Sequence, residues 1–469
     1  MTTIIVKGLE HGNFQLLDFY LARARRIVPA LLVVCAALLL LGWNALAAPD
    51  YKSLASHVVY SLLFASNVEY WLESGYFDAA SHDKWLLHTW SLSVEWQFYL
   101  VLPVLLLVLW KVRASRRLIV AGLSVLAGVS LTASMLLTKS DASHAFYLLH
   151  TRAWELLVGG CVGLLVSQPF RGARWMAWAG LAAILLSGLL FDQTTEWPGL
   201  YAALPVAGTA AVIASSQHSS IFTAGYVVQR LGDMSYSIYL WHWPVVVAIG
   251  YLGNSRSPEL IVAGLALTLA LGAMSYQFVE RPTRSALIGR GRWLPLKVGL
   301  ALCCAVALPA ALIHRTQGQP GRLPEAVEAA ASEMHNGNPR LAECHQVSGV
   351  GSPSCVYGLQ PVGAILLGDS HANALAPALA AVAAKMRQGV VEWSYSGCPT
   401  LRGADRARRL ALGPGYSCPA FNEWVLGELA RHPNDLPIVI INRSSAYYAI
   451  APTEPWEPAK PLVYFVDSA

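Results

Sequence analysis

A chain of 469 residues that is 55% hydrophobic and only 13% charged is not the sequence of a soluble enzyme. Soluble domains carry roughly 25% charge, about twice as much. The net charge of +5 would point to an anionic polymer if the basic residues shared one exposed face. They lie instead in short loops between apolar runs, so no nucleic-acid partner is expected and the basic loops report orientation in a lipid bilayer.

A helix needs about 20 largely apolar residues to cross the hydrocarbon core. Nine stretches fit: Ile27–Ala47, Val94–Trp110, Leu118–Leu137, Tyr147–Val166, Trp175–Phe191, Leu200–Ala214, Leu231–Leu252, Leu260–Val279 and Leu294–Ile313. Val58–Leu72 is also apolar, but Ser61, Ser66, Asn67 and Glu69 interrupt it, and it reads as interfacial or re-entrant. With nine crossings the loops bearing Arg23, Arg25 and Arg26, Lys111 to Arg117, Arg171 and Arg174, Arg230, and Arg281 to Arg292 all fall on one side. Basic loops stay in the cytoplasm. The start is therefore expected inside, and everything after Ile313 outside.

Cys35, Cys161, Cys303 and Cys304 lie in apolar spans and read as small buried groups. Cys344, Cys355, Cys398 and Cys418 all follow the last span, and an even set in an oxidising compartment reads as disulfides. Sequential pairing, Cys344 with Cys355 and Cys398 with Cys418, closes two short loops and is the first choice among three connectivities. The chain has no CxxC pair, and no metal is expected. Gln317–Pro339, rich in Gly, Pro, Ala and Glu, reads as a linker.

Ionisable groups at membrane depth are costly unless paired or hydrated, so they mark candidate sites. His88 and Glu95 are seven residues apart, about two turns, and share a helix face. Arg152 and Glu155 are three apart and can pair across one turn. His242 lies within a third span, and a histidine that changes charge near neutral pH suits proton transfer. His88, Glu95 and His242 are the candidate catalytic groups of this half.

Four motifs then occur in order: FYLARARRIVP from Phe19, HTWSLSVEWQFY from His88, SYSIYLWHWP from Ser235 and FVERP from Phe278. Together they resemble membrane acyltransferase family 3 over roughly residues 1–313. The resemblance implies transfer of an acyl group, usually acetyl from cytoplasmic acetyl-CoA, to a carbohydrate beyond the membrane. It maps the family's R-x-x-R motif onto Arg23 and Arg26, whose guanidiniums can grip the phosphates of coenzyme A. Trp96 stands where an acidic residue usually follows Glu95, and Ala22 where arginine is common. The family's histidine on its first helix, ten residues after a basic residue, has no counterpart here. Met1–Ile5 resembles the tail of the second of eleven family helices, so the chain is expected to be truncated at its start.

In the last part, the buried-strand pattern Ala364–Leu367 runs into Gly368-Asp369-Ser370-His371, and Ala372–Lys385 can form a helix. A nucleophile on a strand-to-helix turn is exposed, with backbone amides aimed at the reacting atoms. The block resembles the first of the SGNH hydrolases, a domain often fused to these acyltransferases. That resemblance implies that Ser370 is the nucleophile and that Gly397 and Asn442 serve the oxyanion hole. The base would come from a D-x-x-H motif, and none follows Ser370; His432 has no acidic residue three positions before it. His371 points elsewhere on such a turn, and the α/β pattern stops incomplete, so truncation is expected at the end as well.

The expected fold is a polytopic α-helical membrane domain of about nine helices (1–313), a linker with a disulfide (314–361), and a partial extracytoplasmic α/β SGNH-like domain (362–469). The expected function is O-acetylation of a surface glycan such as lipopolysaccharide O-antigen at the bacterial inner membrane, with acetyl-CoA as donor and Ser370 as acyl carrier. A glycan esterase and a non-catalytic fragment of such an enzyme are the alternatives. A transporter would show inverted repeats with broken helices in matching positions, which the sequence lacks.

Overall fold

Backbone polar groups inside a bilayer have no water to bond, so the apolar runs of the first half satisfy them within helices. The computed structural model describes residues 1–74, 83–166, 172–192, 195–215, 225–252, 257–286, 293–333, 336–406, 415–431, 436–443 and 463–465. Two units separate by their contacts, Met1–Glu328 and Ala329–Ala469.

Among the described residues the regular elements of the first unit are all helical. It contains α1 (Thr2–Glu10), α2 (Leu16–Ala45), α3 (Ala48–Leu62), α4 (Ser66–Leu72), α5 (Thr89–Val112), α6 (Arg116–Ser140) and α7 (Ala142–Tyr147). There follow α8 (Leu149–Leu165), α9 (Ala173–Leu190), α10 (Ala203–Ser215), α11 (Tyr226–Tyr251) and α12 (Pro258–Ser275). A π-helical turn, Tyr276–Glu280, joins α12 to α13 (Arg281–Ala286), and α14 (Trp293–Arg315) ends the series. Each of the nine expected spans overlaps mainly one of these helices, with Tyr147–Val166 beginning at the end of α7 and Leu260–Val279 running from α12 into the π-helical turn. Among the described residues, six helical segments are long and apolar enough to cross a membrane: α2, α5, α6, α9, α14 and the continuous α12–α13 segment. α8 and α10 are shorter, at 17 and 13 residues, and α11 carries Arg230, Asp233 and His242.

Val58–Leu72 does not form one helix. It breaks between α3 and α4, where Phe64 takes a φ of 54°. The interrupting polar residues find partners near and on α5: Ser61 Oγ bonds Thr89 Oγ1 at 2.8 Å, and Ser66 Oγ bonds Ser93 Oγ at 2.8 Å. Gln97 Nε2 donates to the Asn67 side-chain oxygen at 2.8 Å. Two apolar clusters meet on α5. Leu92 packs with α2, α3 and α14, while Phe98, Leu102 and Leu106 pack with α1, α6 and α8.

The second unit is built on a sheet. Its strands are β1 (His345–Gln346), β2 (Cys355–Gly358), β3 (Val362–Gly368), β4 (Gly389–Tyr395), β5 (Ala404–Arg406), β6 (Ile438–Ile441) and β7 (Val463–Phe465). Its helices are α15 (Glu325–Glu333), which begins before the unit boundary, then α16 (Leu341–Cys344), α17 (Ser370–Lys385) and α18 (Cys418–Arg431). β1, β4, β3 and β6 lie side by side in parallel, β2 pairs antiparallel with β4, and β5 pairs with β7 separately. Side chains alternate across a strand. Leu366 and Val390 accordingly face Ala372, Ala376 and Ala380 of α17, while Ile365, Leu367 and Trp393 face Phe421 and Val425 of α18. Disulfides join Cys344 to Cys355 and Cys398 to Cys418.

The expected linker 314–361 is corrected by these strands, because β1 and β2 belong to the sheet. Runs of two and four residues are too short to show alternation. Their pairing is set by β4, far along the chain, and by the Cys344–Cys355 bond.

α9 and α10 touch backbone to backbone: a Cβ on Gly208 would lie 2.7 Å from the Gly180 carbonyl oxygen, and one on Gly180 2.5 Å from that of Gly208. Gly208→Val should therefore force the pair apart and cost about 1–3 kcal/mol. Thermal unfolding of the detergent-solubilised chain measures this, and an unchanged midpoint would contradict the contact.

Candidate functional site

In the first unit the chemistry collects on one face of α5. His88, Ser91, Glu95 and Tyr99 recur at spacings of three and four residues, which places them in one stripe. The Tyr99 hydroxyl donates to Glu95 one turn back. Ser91 Oγ shares a 2.7 Å hydrogen bond with the Tyr239 hydroxyl of α11, and that hydroxyl also donates to the His88 carbonyl. A cavity of about 380 Å³ is lined by Arg23 and Arg26 of α2, by Ser91, Glu95 and Tyr99, and by Tyr239. Two arginines and a carboxylate predicted from separate motifs thus share one chamber. Tyr99 and Tyr239, which wall it, sit inside the quoted motifs but carried no signal of their own.

His88 and His242 lie beside this chamber, behind Tyr239. Their ring centroids are 5.4 Å apart, and His88 lies 5.2 Å from the Tyr239 ring. His88 is 6% exposed, and neither of its ring nitrogens has a hydrogen-bond partner among the described residues. His242 Nδ1 meets the carbonyl of Tyr239 and must therefore donate, which leaves Nε2 with the lone pair in the neutral ring. Arg152 and Glu155 do pair, at 3.2 Å, but they are not in the chamber lining. The Arg152 guanidinium lies over the rings of Trp90 and Phe146, at 5.5 and 5.7 Å. A larger cavity of about 570 Å³ between α5, α6 and α8 is walled mainly by aliphatic side chains and includes none of the predicted site residues.

One cluster was invisible in the sequence. Glu73 receives His57 Nε2 at 3.0 Å and Lys84 Nζ at 2.7 Å, with His57 and Lys84 both buried. Burial alone would raise the Glu73 pKa, but the hydrogen bonds and charges of His57 and Lys84 outweigh it and hold the carboxyl at about 2. Trp243 Nε1 donates to the Lys84 carbonyl at 2.8 Å, which ties this cluster to the turn next to His242.

In the second unit Ser370, Gly397 and Asn442 follow the ends of three neighbouring parallel strands, β3, β4 and β6. The chain leaves β3 for β4 on one side and returns to β6 on the other, and ligands of open α/β sheets bind at such a switch point. Ser370 opens α17, where free amides favour developing negative charge. Gly368 must be glycine, since a Cβ there would lie 1.9 Å from the Ile441 carbonyl oxygen. Gly397 has a φ of 58°, in the left-handed region that favours glycine. The Asn442 amide donates to Thr400 Oγ1 at 3.0 Å. Asp369 is buried, and its carboxylate accepts from the Arg443 amide at 2.9 Å and from the His371 amide at 2.8 Å. His371 Nδ1 lies 3.1 Å from the same carboxylate, so that ring is turned to Asp369. His432 lies outside the described residues.

Beneath the first turn of α17 runs a buried polar chain. Glu392 Oε1 accepts from Asn373 Nδ2 at 2.7 Å and from Ser394 Oγ at 2.5 Å, and His345 Nδ1 lies 2.9 Å from that hydroxyl. Burial lowers the His345 pKa, although Glu392 and Asp369 pull it upward.

Residues 11–276 match the family model described as an acyltransferase domain, and residues 343–464 match the SGNH domain fused to such domains. Over 311 residues the chain is 30% identical to the "Putative membrane-bound transacylase BcsY" of Komagataeibacter xylinus, covering 64% of this chain and 79% of that protein. It is 28% identical over 309 residues to the "Peptidoglycan O-acetyltransferase OatA" of Listeria monocytogenes serovar 1/2a, covering 61% of this chain and 49% of that one. It is 29% identical over 315 residues to the "Putative peptidoglycan O-acetyltransferase YrhL" of Bacillus subtilis (strain 168), covering 61% and 48%. The chain thus spans about half the length of these last two relatives. No solved structure matches it.

Because the folded pKa of His345 lies below the ordinary histidine value of about 6.5, the unfolded chain binds more protons between the two values. The stability held there is complete above about pH 6.5 and is lost as pH falls through that window. After correction for intrinsic rates, hydrogen exchange of β1 and β4 amides in the whole chain should quicken from about pH 7 to 5. His345→Gln should flatten that slope, and an unchanged slope would assign it to another group.

Proposed function

The chain belongs to the membrane acyltransferase family in which an SGNH domain is fused behind the membrane part, and on that premise we propose that it moves an acetyl group from cytoplasmic acetyl-CoA to hydroxyls of a cell-surface glycan. The observation that carries the reading is the single chamber holding Arg23, Arg26, Glu95 and Tyr239, with His88 and His242 beside it. Planar guanidiniums suit the phosphates of coenzyme A. A histidine whose Nδ1 is committed to a carbonyl presents Nε2 as the proton acceptor.

In the proposed reaction a hydroxyl attacks the thioester carbonyl. The carbon–sulfur bond breaks, an acetyl–oxygen bond forms, and the hydroxyl proton passes through the histidine pair to the departing thiolate. Ser370 Oγ then attacks the acetyl ester so formed, the ester's carbon–oxygen bond breaks, and the Ser370 proton goes to the released hydroxyl. Ser370 holds acetyl, with the developing charge facing the α17 amides and Gly397, until a sugar hydroxyl takes the group and gives its proton back to Ser370.

The basic loops support a cytoplasmic start in the bacterial inner membrane. The Cys344–Cys355 and Cys398–Cys418 disulfides support an oxidising, extracytoplasmic setting for the second unit. The acceptor proposed is a hydroxyl-rich surface polymer, lipopolysaccharide O-antigen or a peptidoglycan of the kind in the relatives' names.

Membranes containing the chain, supplied with labelled acetyl-CoA, should yield acetyl on Ser370 by mass spectrometry, and Ser370→Ala should abolish it. Arg23→Ala and Arg26→Ala should each lower the labelling roughly tenfold to a hundredfold, since a charge-assisted bond is worth about 1.5–3 kcal/mol. Donor turnover without acetyl on Ser370 would sink the relay. Release of acetyl to water in place of glycan would make the second unit an esterase.

A further inference from the structure

The FVERP motif takes no part in the scheme above, and its glutamate is among the most buried charged groups of the molecule. Glu280 is 1% exposed and ends the π-helical turn between α12 and α13. Such turns interrupt a regular helix and often mark functional positions. A buried carboxylate is costly unless other groups answer it. Here Ser237 Oγ donates to Oε2 at 3.1 Å, while Oε1 has no hydrogen bond among the described residues and faces Arg284 Nη1 at 3.5 Å.

These contacts lie directly behind the donor chamber. Ser237 sits on α11 between Tyr236 and Tyr239, both of which line the chamber, and the Tyr236 hydroxyl donates at 2.8 Å to the carbonyl of Ile27, next to Arg26. Arg26 is within electrostatic reach of Glu280. Arg284 rides on α13, which packs against α2, the helix that carries Arg23 and Arg26. The Arg23 guanidinium interacts with those of both Arg26 and Arg284. Arg284, which is not in the chamber lining, is thus close enough to the lining arginine Arg23 for the two charges to repel. Arg284 remains 49% exposed, so its side chain can be reached by a ligand.

We propose that Arg284 is a third arginine of the donor site, taking a phosphate separate from the one held by Arg23 and Arg26, and that Glu280 is the positioning residue that aims it. The inference rests on the donor reading above. The ligand class it implies carries a diphosphate and, apart from it, a ribose monophosphate, as coenzyme A does.

The test is calorimetric titration of the whole chain in nanodiscs with coenzyme A and with dephospho-coenzyme A, which lacks only the ribose phosphate. The unaltered protein should prefer coenzyme A by about tenfold or more, and Arg284→Ala should erase the preference while binding dephospho-coenzyme A within about twofold of the unaltered protein. That retained binding also shows that the variant is folded. Arg284→Lys should restore part of the preference. Glu280→Gln should shrink it, and Glu280→Asp should recover some of it. Equal weakening toward both ligands, or no change toward either, would overturn the assignment to Arg284. If the unaltered chain bound neither ligand, the donor reading would fall and this inference with it, whereas binding that ignores the ribose phosphate would sink only the inference.

Discussion

A carboxylate surrounded by helices and lipid must be answered by another side chain, and this requirement organises the first unit. Glu95 is met by Tyr99, Glu155 by Arg152, Glu280 by Ser237 and Arg284, and Glu73 by His57 and Lys84. Hydrophobic burial alone is indifferent to which helix face meets which, because hydrocarbon and Leu are equally apolar. The polar pairings supply the register. Ser91 on Tyr239 fixes α5 against α11, and Ser66 on Ser93 fixes α4 against α5. α5 takes part in both, and both apolar clusters also meet on it.

Much of this was legible in the residues, for reasons of scale. A span is about 20 residues of one character, long enough that a few polar intrusions do not hide it. Helix periodicity also put His88 and Glu95 on one face before any coordinates. Which helices then come together was not legible, because it depends on pairings such as Ser91 with Tyr239, 148 positions apart. The Glu73 cluster was equally silent: its members lie in three short stretches with no periodic signal. The strands β1 and β2 were read as linker because six residues in all cannot show alternation. The chamber's arginines were found through the motif they resemble, and composition alone would have left them as loop charges.

The second unit shows the same division between local and distant causes. β3, the Gly368 turn and α17 follow from a buried run, a glycine and an alanine-rich segment. The alignment of Ser370 with Gly397 and Asn442 depends on strand order, which no short window contains. Gly368 links the two levels. Its missing side chain lets β6 approach β3, and the backbone of Arg443 can then bond Asp369 beside Ser370.

The stripe on α5 also has a length. From His88 to Tyr99 is eleven residues, about 17 Å at 1.5 Å per residue. That is somewhat more than half of a hydrocarbon core about 30 Å thick. Along that stretch one helix face presents an imidazole, two hydroxyls and a carboxylate in place of hydrocarbon. A polar ladder of that length offers hydrogen-bond partners over a distance comparable with half of the core, where an ordinary membrane helix offers none.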